Sequence, residues 1–375
     1  MAGKVKVVGG VEKLRNIILE LGDFFKEREE LAKLLALALL SKQHVYILGP
    51  PGTAKSAMAR AVAAHLDAKY FEYLLGRYTT PEELFGPLDL SKLEEGLFVR
   101  VTTAKLPEAE IAFLDEVFKA NSAILNTLLE VINNRVYHEG ERVVDVPLNT
   151  LITASNELPE DDEELAAFYD RLLIRYVVDY IKDDRNFKGM LLTDEEYVPK
   201  TKISIGELRA MQKQASKVDI TPILDTVVEL RKNLKRAGIV ASDRRFKQAM
   251  SVVRAHAFLQ GRAVATTDDL RVLLHIMWDT PEQVSAVRKV VMDVVDPFAR
   301  RIMEYREIVD DYKERMQGKL NAAEVQEIMS KLKLVENEIN ELSKMALGSG
   351  RDASELEEIL DEVQSLKVSM LDKMF

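Results

Sequence analysis

No cysteine occurs anywhere in the 375 residues, so a disulfide framework, a thiolate nucleophile and a cysteine zinc site are all excluded. Histidine is scarce as well: His44, His65, His138, His256 and His275 lie scattered, without metal-ligand spacing. A long apolar run is also missing. The stretch 31–40 is the nearest, but it falls short of the roughly 20 residues that cross a bilayer and reads as a core helix. Nothing at the N-terminus resembles a cleavable signal, so no membrane span and a cytoplasmic location are the expectation. A basic excess is lacking too, with 52 Lys and Arg against 62 Asp and Glu, a formal net charge of −10. That balance gives no electrostatic footprint for duplex nucleic acid and argues against DNA tracking. The length suits two or three domains with packed cores.

What is present concentrates in Gly49-Pro50-Pro51-Gly52-Thr53-Ala54-Lys55-Ser56. The apolar segment 45–48 before it reads as a buried parallel strand, and 57–63 after it as a helix. Strand, glycine-rich loop, helix is the context of a phosphate-binding loop. Glycines let backbone N–H groups approach anionic oxygens, and the helix N-terminus adds partial positive charge. Lys55 has the reach for β- and γ-phosphates, and the Ser56 hydroxyl suits Mg²⁺. The common pattern has Gly before the Lys; this chain has Ala54.

About sixty residues on, the apolar strand 111–114 ends in Asp115-Glu116. Ligands in doubly wound sheets bind outside the C-terminal strand ends. There Asp115 can hold Mg²⁺ through water, and Glu116 can orient and polarise an attacking water. A third strand, 151–154, stops at Ser155-Asn156, which gives Asn156 access to the γ-phosphate or the water from the neighbouring strand.

With these residues the chain resembles the AAA+ ATPases and, within them, the MoxR family, in which phosphate loops reading GPPGTAKS are common. The likeness extends to the RavA-like branch (regulatory ATPase variant A). It is carried by 71–74, 79–87, 106–110, 123–129, 154–159, 169–175 and 242–245, and spans roughly 24–278. The resemblance implies Mg²⁺-ATP hydrolysis in a homo-hexamer, Asn156 as sensor 1, and Arg171 as the arginine finger for the neighbouring subunit, with Arg175 as the alternative. It also implies Arg244 as the lid arginine (sensor 2) that reads the γ-phosphate, and contact of 24–28 with adenine. Arginines in these roles stabilise charge at the transferring phosphoryl group.

The expected fold is α/β plus all-α: an αβα nucleotide domain over 1–185, an all-helical lid over 186–280 and a three-helix bundle over 281–375. Residues 88–104 and 135–147 resemble family hairpins that project toward a ring pore, the second turning at Glu139-Gly140. Residues 186–203 turn polar and read as a linker. Helices are expected at 208–216, 222–237, 243–260 and 267–278, the last opening on Thr266-Thr267-Asp268-Asp269. Heptad-like spacing over 298–316, 325–346 and 356–370, broken near Gly318 and at Gly348-Ser349-Gly350, predicts an antiparallel bundle. RavA-like proteins interrupt their bundle with a small β-rich domain, and no such insertion is visible here.

Two functions follow. One is a ring-forming ATPase acting as a chaperone or remodeller of protein complexes, with a client that includes a von Willebrand factor A-type protein. The alternative is an AAA+ nucleic-acid motor, which the acidic charge disfavours. A nucleotide-binding scaffold with little turnover is a third, opposed by Lys55, Asp115, Glu116 and Arg171.

Overall fold

β-branched and aromatic residues in short apolar runs favour strands buried on both faces. The strands are Val45–Leu48 (β1), Leu66–Asp67 (β2), Tyr70–Leu74 (β3), Ile111–Asp115 (β4), Val136–Glu139 (β5), Arg142–Asp145 (β6), Thr150–Ser155 (β7), Ile174–Val177 (β8) and Ile203–Ser204 (β9). Five of them make a wholly parallel sheet in the order β3-β4-β7-β1-β8. The register matters for function. Leu48 pairs with Ser155, Ala154 with Asp115 and Leu74 with Asp115, so all these strands end along one edge. Gly49, Asn156 and Glu116 are therefore the next residues out from that edge. The computed structural model describes residues 10–139, 142–159, 163–193, 196–316, 322–348 and 353–374.

The chain divides into two units, 1–288 and 289–375. In the first, Glu29–Ser41 (α2) packs on β8 and Lys55–Ala64 (α3) on β4 and β7, while Gly10–Phe24 (α1) packs on both helices. The apolar stretch 31–40 is α2, buried along almost its whole length and packed on α1. Burial of each such leucine contributes about 1.5–3 kcal/mol. Pro81–Phe85 (α4) and Leu90–Glu94 (α5) follow β3. The 88–104 segment is closed at its base by an antiparallel bridge between Leu88 and Arg100 and contains α5, so it is a helix-bearing excursion. Ser122–Asn134 (α6) leads into the β5–β6 hairpin, whose expected turn at Gly140 lies outside the described residues. Glu163–Arg171 (α7) precedes β8.

The stretch read as a linker contains a helix, Asp184–Leu191 (α8). The Asp183 carboxylate accepts from the N–H groups of Arg185 and Asn186, an N-cap worth about 1 kcal/mol. Ile205–Ala215 (α9), Leu224–Arg236 (α10) and Asp243–Leu259 (α11) match the expected lid helices closely. The fourth differs: Thr267–His275 is a 3-10 helix. The buried Asp269 carboxylate accepts from His256 Nδ1 (2.6 Å), Arg262 Nη1 (2.6 Å) and the Thr266 N–H (2.7 Å). Contacts to the neighbouring helix thus fix this turn in place of an i→i−4 ladder.

Gln283–Val295 (α12) runs across the division between the units. In the second unit Pro297–Met316 (α13), Ala322–Gly348 (α14) and Ser354–Met374 (α15) bury the heptad residues in one core. Arg306 pairs with Glu358 (3.6 Å) and Lys313 with Glu362 (2.8 Å), so α13 and α15 run the same way. The breaks near Gly318 and at Ser349-Gly350 lie outside the described residues.

Candidate active site

The phosphate loop leaves the C-terminal end of β1 and enters α3. The Gly49 N–H donates to the Ser155 carbonyl at 3.1 Å. A Cβ on Gly49 would lie 2.2 Å from the Val178 carbonyl oxygen, which fixes glycine there. Gly52 at φ +79° and Ala54 at φ +65° turn the loop through the left-handed region. For Ala54 the left-handed conformation costs on the order of 1–2 kcal/mol. Thr53 Oγ1 closes the turn on the Pro50 carbonyl at 2.9 Å.

Lys55 is buried, with Nζ donating to the carbonyls of Gly49 (2.5 Å) and Pro50 (2.9 Å) and to Asn156 Oδ1 (3.0 Å). Asn156 Nδ2 donates to Glu116 Oε1 at 2.8 Å. The other carboxylate oxygen of Glu116 pairs with Lys119 Nζ at 3.1 Å. Glu116 is itself left-handed (φ +52°) and opens the turn Val117–Lys119. A polar chain Lys119–Glu116–Asn156–Lys55 therefore spans the tips of β4, β7 and β1. Asp115 Oδ1 accepts from the Glu116 N–H at 3.0 Å.

Burial pulls the Lys55 ammonium down, opposed by Asp115 and Glu116. Burial likewise pushes the Asp115 carboxyl up, opposed by the Glu116 N–H and Lys55. In each group burial outweighs the opposite charges beside it. A triphosphate with Mg²⁺ would add a counter-charge to both: Lys55 and the loop amides would hold phosphate, and Ser56 and Asp115 would face the metal. Among the described residues there is no cluster of three or more His, Cys, Asp or Glu that could hold a metal ion.

Beside the loop opens a cleft of about 450 Å³, lined by Phe24, Phe25, Arg28, Gly52, Tyr180 and Phe187 among others. Arg28 is buried and donates to the carbonyls of Asp179 (2.5 Å) and Glu27 (2.9 Å). The Glu27 carboxylate accepts from the N–H groups of Lys182 and Asp183, both at 2.9 Å, and these bonds hold it below the usual carboxylate range. Two separate segments are thereby tied into one wall. The sequence pointed to 24–28; Tyr180, Phe187 and Met190 were missed because they lie in or beside the polar stretch. Phe187 and Met190, three apart on α8 among charged residues, were the available signal.

The arginines divide differently from the expectation. Arg171 ends α7 and donates from Nε to Asn133 Oδ1 at 2.7 Å. Arg244, exposed at the start of α11, is close enough that its charge helps burial to lower the Arg171 guanidinium. Among the described residues, no hydrogen bond or ion pair joins either arginine to the phosphate loop. Arg244 therefore acts electrostatically on Arg171. Arg175 is wholly buried in β8: it pairs with Asp279 at 2.7 Å, donates to the carbonyls of Trp278 and Tyr169 and lies over the Tyr169 ring. It is a core residue and cannot reach a neighbour, which removes it as the alternative finger. Arg245 is buried likewise, against Asp170 and Asp279, both at 2.8 Å.

A parallel sheet with this strand order, a phosphate loop after β1, an acidic pair at the tip of β4 and a helical lid define an AAA+ ATPase. A family model for the MoxR domain in the MoxR-vWA-β-propeller ternary systems matches residues 12–213, and one for the AAA lid domain matches 222–291. The chain belongs to the MoxR family of AAA+ ATPases. It is similar to two uncharacterized proteins of Methanocaldococcus jannaschii. One is 42% identical over 362 residues, 94% of this chain and 95% of the relative. The other is 41% identical over 367 residues, 95% and 97%. A crystal structure of a Cytophaga hutchinsonii protein, described as a candidate ATPase, shares the fold with a TM-score of 0.61 at 17% identity, covering 76% of this chain and 94% of that one.

Proposed function

We propose that this ATPase works as a Mg²⁺-dependent ring, a homo-hexamer by its family, that remodels protein complexes together with a von Willebrand factor A-type partner. The reading rests on the two arginines: among the described residues neither makes a hydrogen bond or ion pair to the phosphate loop, while the charge of Arg244 is felt at Arg171. Lys55, Asp115, Glu116 and Asn156 form one constellation; Arg171 and Arg244 form another. A neighbouring subunit that presents its Arg171 and Arg244 to this loop completes the site, and arginines so placed add orders of magnitude to phosphoryl transfer. In this reading ATP brings the scissile phosphoryl group, the cleft beside the loop takes adenine, Glu116 accepts the proton of the attacking water and Asn156 orients it.

The partner reading is supported by the matched family description, which couples the MoxR domain to vWA proteins. The RavA-like likeness of the segments quoted above points to the same kind of ring, though the matched family supports the broader MoxR placement. Exposed Leu97 and Phe98 on the 88–104 excursion and Val143 on the β5–β6 hairpin supply apolar surface that a moving loop could press on a client. Cytoplasmic location remains part of the proposal.

ATPase rate against protein concentration, for the native chain and Arg171→Ala, tests the shared site. Specific activity should rise with concentration, and the variant should lose about 10³–10⁵-fold in turnover, the range seen for such arginines, while still binding ATP. Activity that is flat with concentration and indifferent to Arg171 would remove the ring mechanism.

A further inference from the structure

The C-terminal unit carries a second concavity, about 670 Å³, between α13 and α14. Its floor is apolar, made by Tyr305, Ile308 and Tyr312 on one helix and Leu342 and Met345 on the other. Carboxylates stand along both rims: Glu304, Glu307 and Asp311 on α13, Glu338 and Glu341 on α14. The lining holds one cation, Arg301. Steps of three and four along each helix keep these residues on facing sides, so the groove follows the helix axes.

Part of this charge is already engaged. Glu304 pairs with Arg300 at 2.5 Å, Asp311 with Arg315 at 3.1 Å, and Glu338 accepts from the Tyr305 hydroxyl at 3.2 Å. Glu307 and Glu341 are exposed and, among the described residues, pair with no cation. Met345 is 66% exposed beside them. An ordinary solvated helix face intersperses charges of both signs over polar ground. Here carboxylates line both sides of an apolar floor.

We propose that this groove docks a basic amphipathic α-helix of a partner protein, which adds a fourth helix to the three-helix bundle. An apolar stripe at i, i+3, i+4 and i+7 would cover Ile308 and Met345, which the bundle core leaves partly or largely exposed, and lysines or arginines flanking it would meet the two rims. The sign of the rims selects the occupant. An acidic helix or a nucleic acid backbone would be repelled by the carboxylates, whereas a basic helix gains both steering and register.

The test uses the full chain and a synthetic 21-residue peptide with leucines at helical spacing and lysines elsewhere, followed by fluorescence anisotropy. The expected result is micromolar binding that weakens with salt and at least tenfold in the double variant Glu307→Lys, Glu341→Lys. The reversal Glu355→Lys, Glu357→Lys on α15, outside the groove, should leave affinity unchanged. A peptide of equal charge with a central proline should bind at least tenfold more weakly. An unaltered affinity in the groove variant overturns the proposal. Equal weakening by the α15 variant also overturns it, since attraction to the acidic chain as a whole would then suffice. Equal binding of the proline peptide overturns the helical occupant. Should the groove reversal fail to fold by circular dichroism, Glu307→Gln, Glu341→Gln replaces it, with at least threefold weakening expected and none overturning.

Discussion

At Glu116, Asn156 donates to one carboxylate oxygen, while the other is buried without a hydrogen bond and has Lys119 Nζ at 3.1 Å as its ion-pair partner. Removing its charge while keeping its shape, as Glu116→Gln, should lower kcat by about 10²–10⁴, the usual contribution of a positioned base, with ATP affinity within a factor of three. Stopped-flow nucleotide binding beside steady-state turnover checks both halves. Lys55→Ala should instead abolish nucleotide binding, because the buried ammonium is the charge that burial leaves without an anion. Arg175 gives the opposite kind of phenotype. Its guanidinium joins Asp279, Trp278 and Tyr169 inside the core, so Arg175→Ala should cost about 3–5 kcal/mol of stability, read by denaturant unfolding. Ala54 sits left-handed between loop and helix, and Ala54→Gly should recover up to about 1–2 kcal/mol with nucleotide binding kept.

At the scale of elements, the lid depends on one carboxylate. Asp269 is fully buried and caps its own 3-10 turn while binding His256 and Arg262 on or just after α11. Those donors hold it below the usual carboxylate range against the opposing effect of burial. A depressed folded value means that its stabilisation is complete above the unfolded carboxylate range, about pH 4, and is lost as pH falls through the folded value. Asp269→Asn should therefore destabilise the protein by about 3–5 kcal/mol at pH 7. It should also flatten the acid limb of a plot of unfolding free energy against pH. A limb unchanged in the variant would assign acid sensitivity to other groups. The same carboxylate explains why 267–278 was legible as a helix start but not as a 3-10 turn. The Thr266–Asp269 cap is local, whereas the pull of His256 and Arg262 comes from residues brought near only by folding.

For the whole molecule, the nucleotide site and the fold should respond separately to metal removal. In the proposed function Mg²⁺ enters with the nucleotide, so EDTA should abolish ATP hydrolysis while leaving the thermal midpoint of the nucleotide-free protein within about 1 °C. A large loss of stability would mean that a metal helps to hold the fold. The arrangement of arginines also belongs to this scale. Arg171 and Arg244 are 73 residues apart in the chain yet share one surface, and that placement makes the assembled ring the natural unit of activity in the proposed function.

Local rules made much of this protein readable. A short apolar strand followed by glycines and Lys55, an acidic pair at a strand end, and heptads in the last hundred residues each depend on neighbours within one element. Backbone geometry and side-chain periodicity then suffice. Folding alone decided the rest. Arg175 and Arg245 are buried while Arg171 and Arg244 are displayed, although Arg244 and Arg245 are adjacent in the same polar stretch. The selection comes from Asp279 and Asp170, carboxylates that reach the buried pair only once the lid packs against β8. Phe187 and Met190 likewise became part of a cleft wall only when Glu27 tied their helix to the turn after α1. Through-space partners of this kind are set by the energy of burying charge and apolar surface together, and no spacing along the chain encodes them.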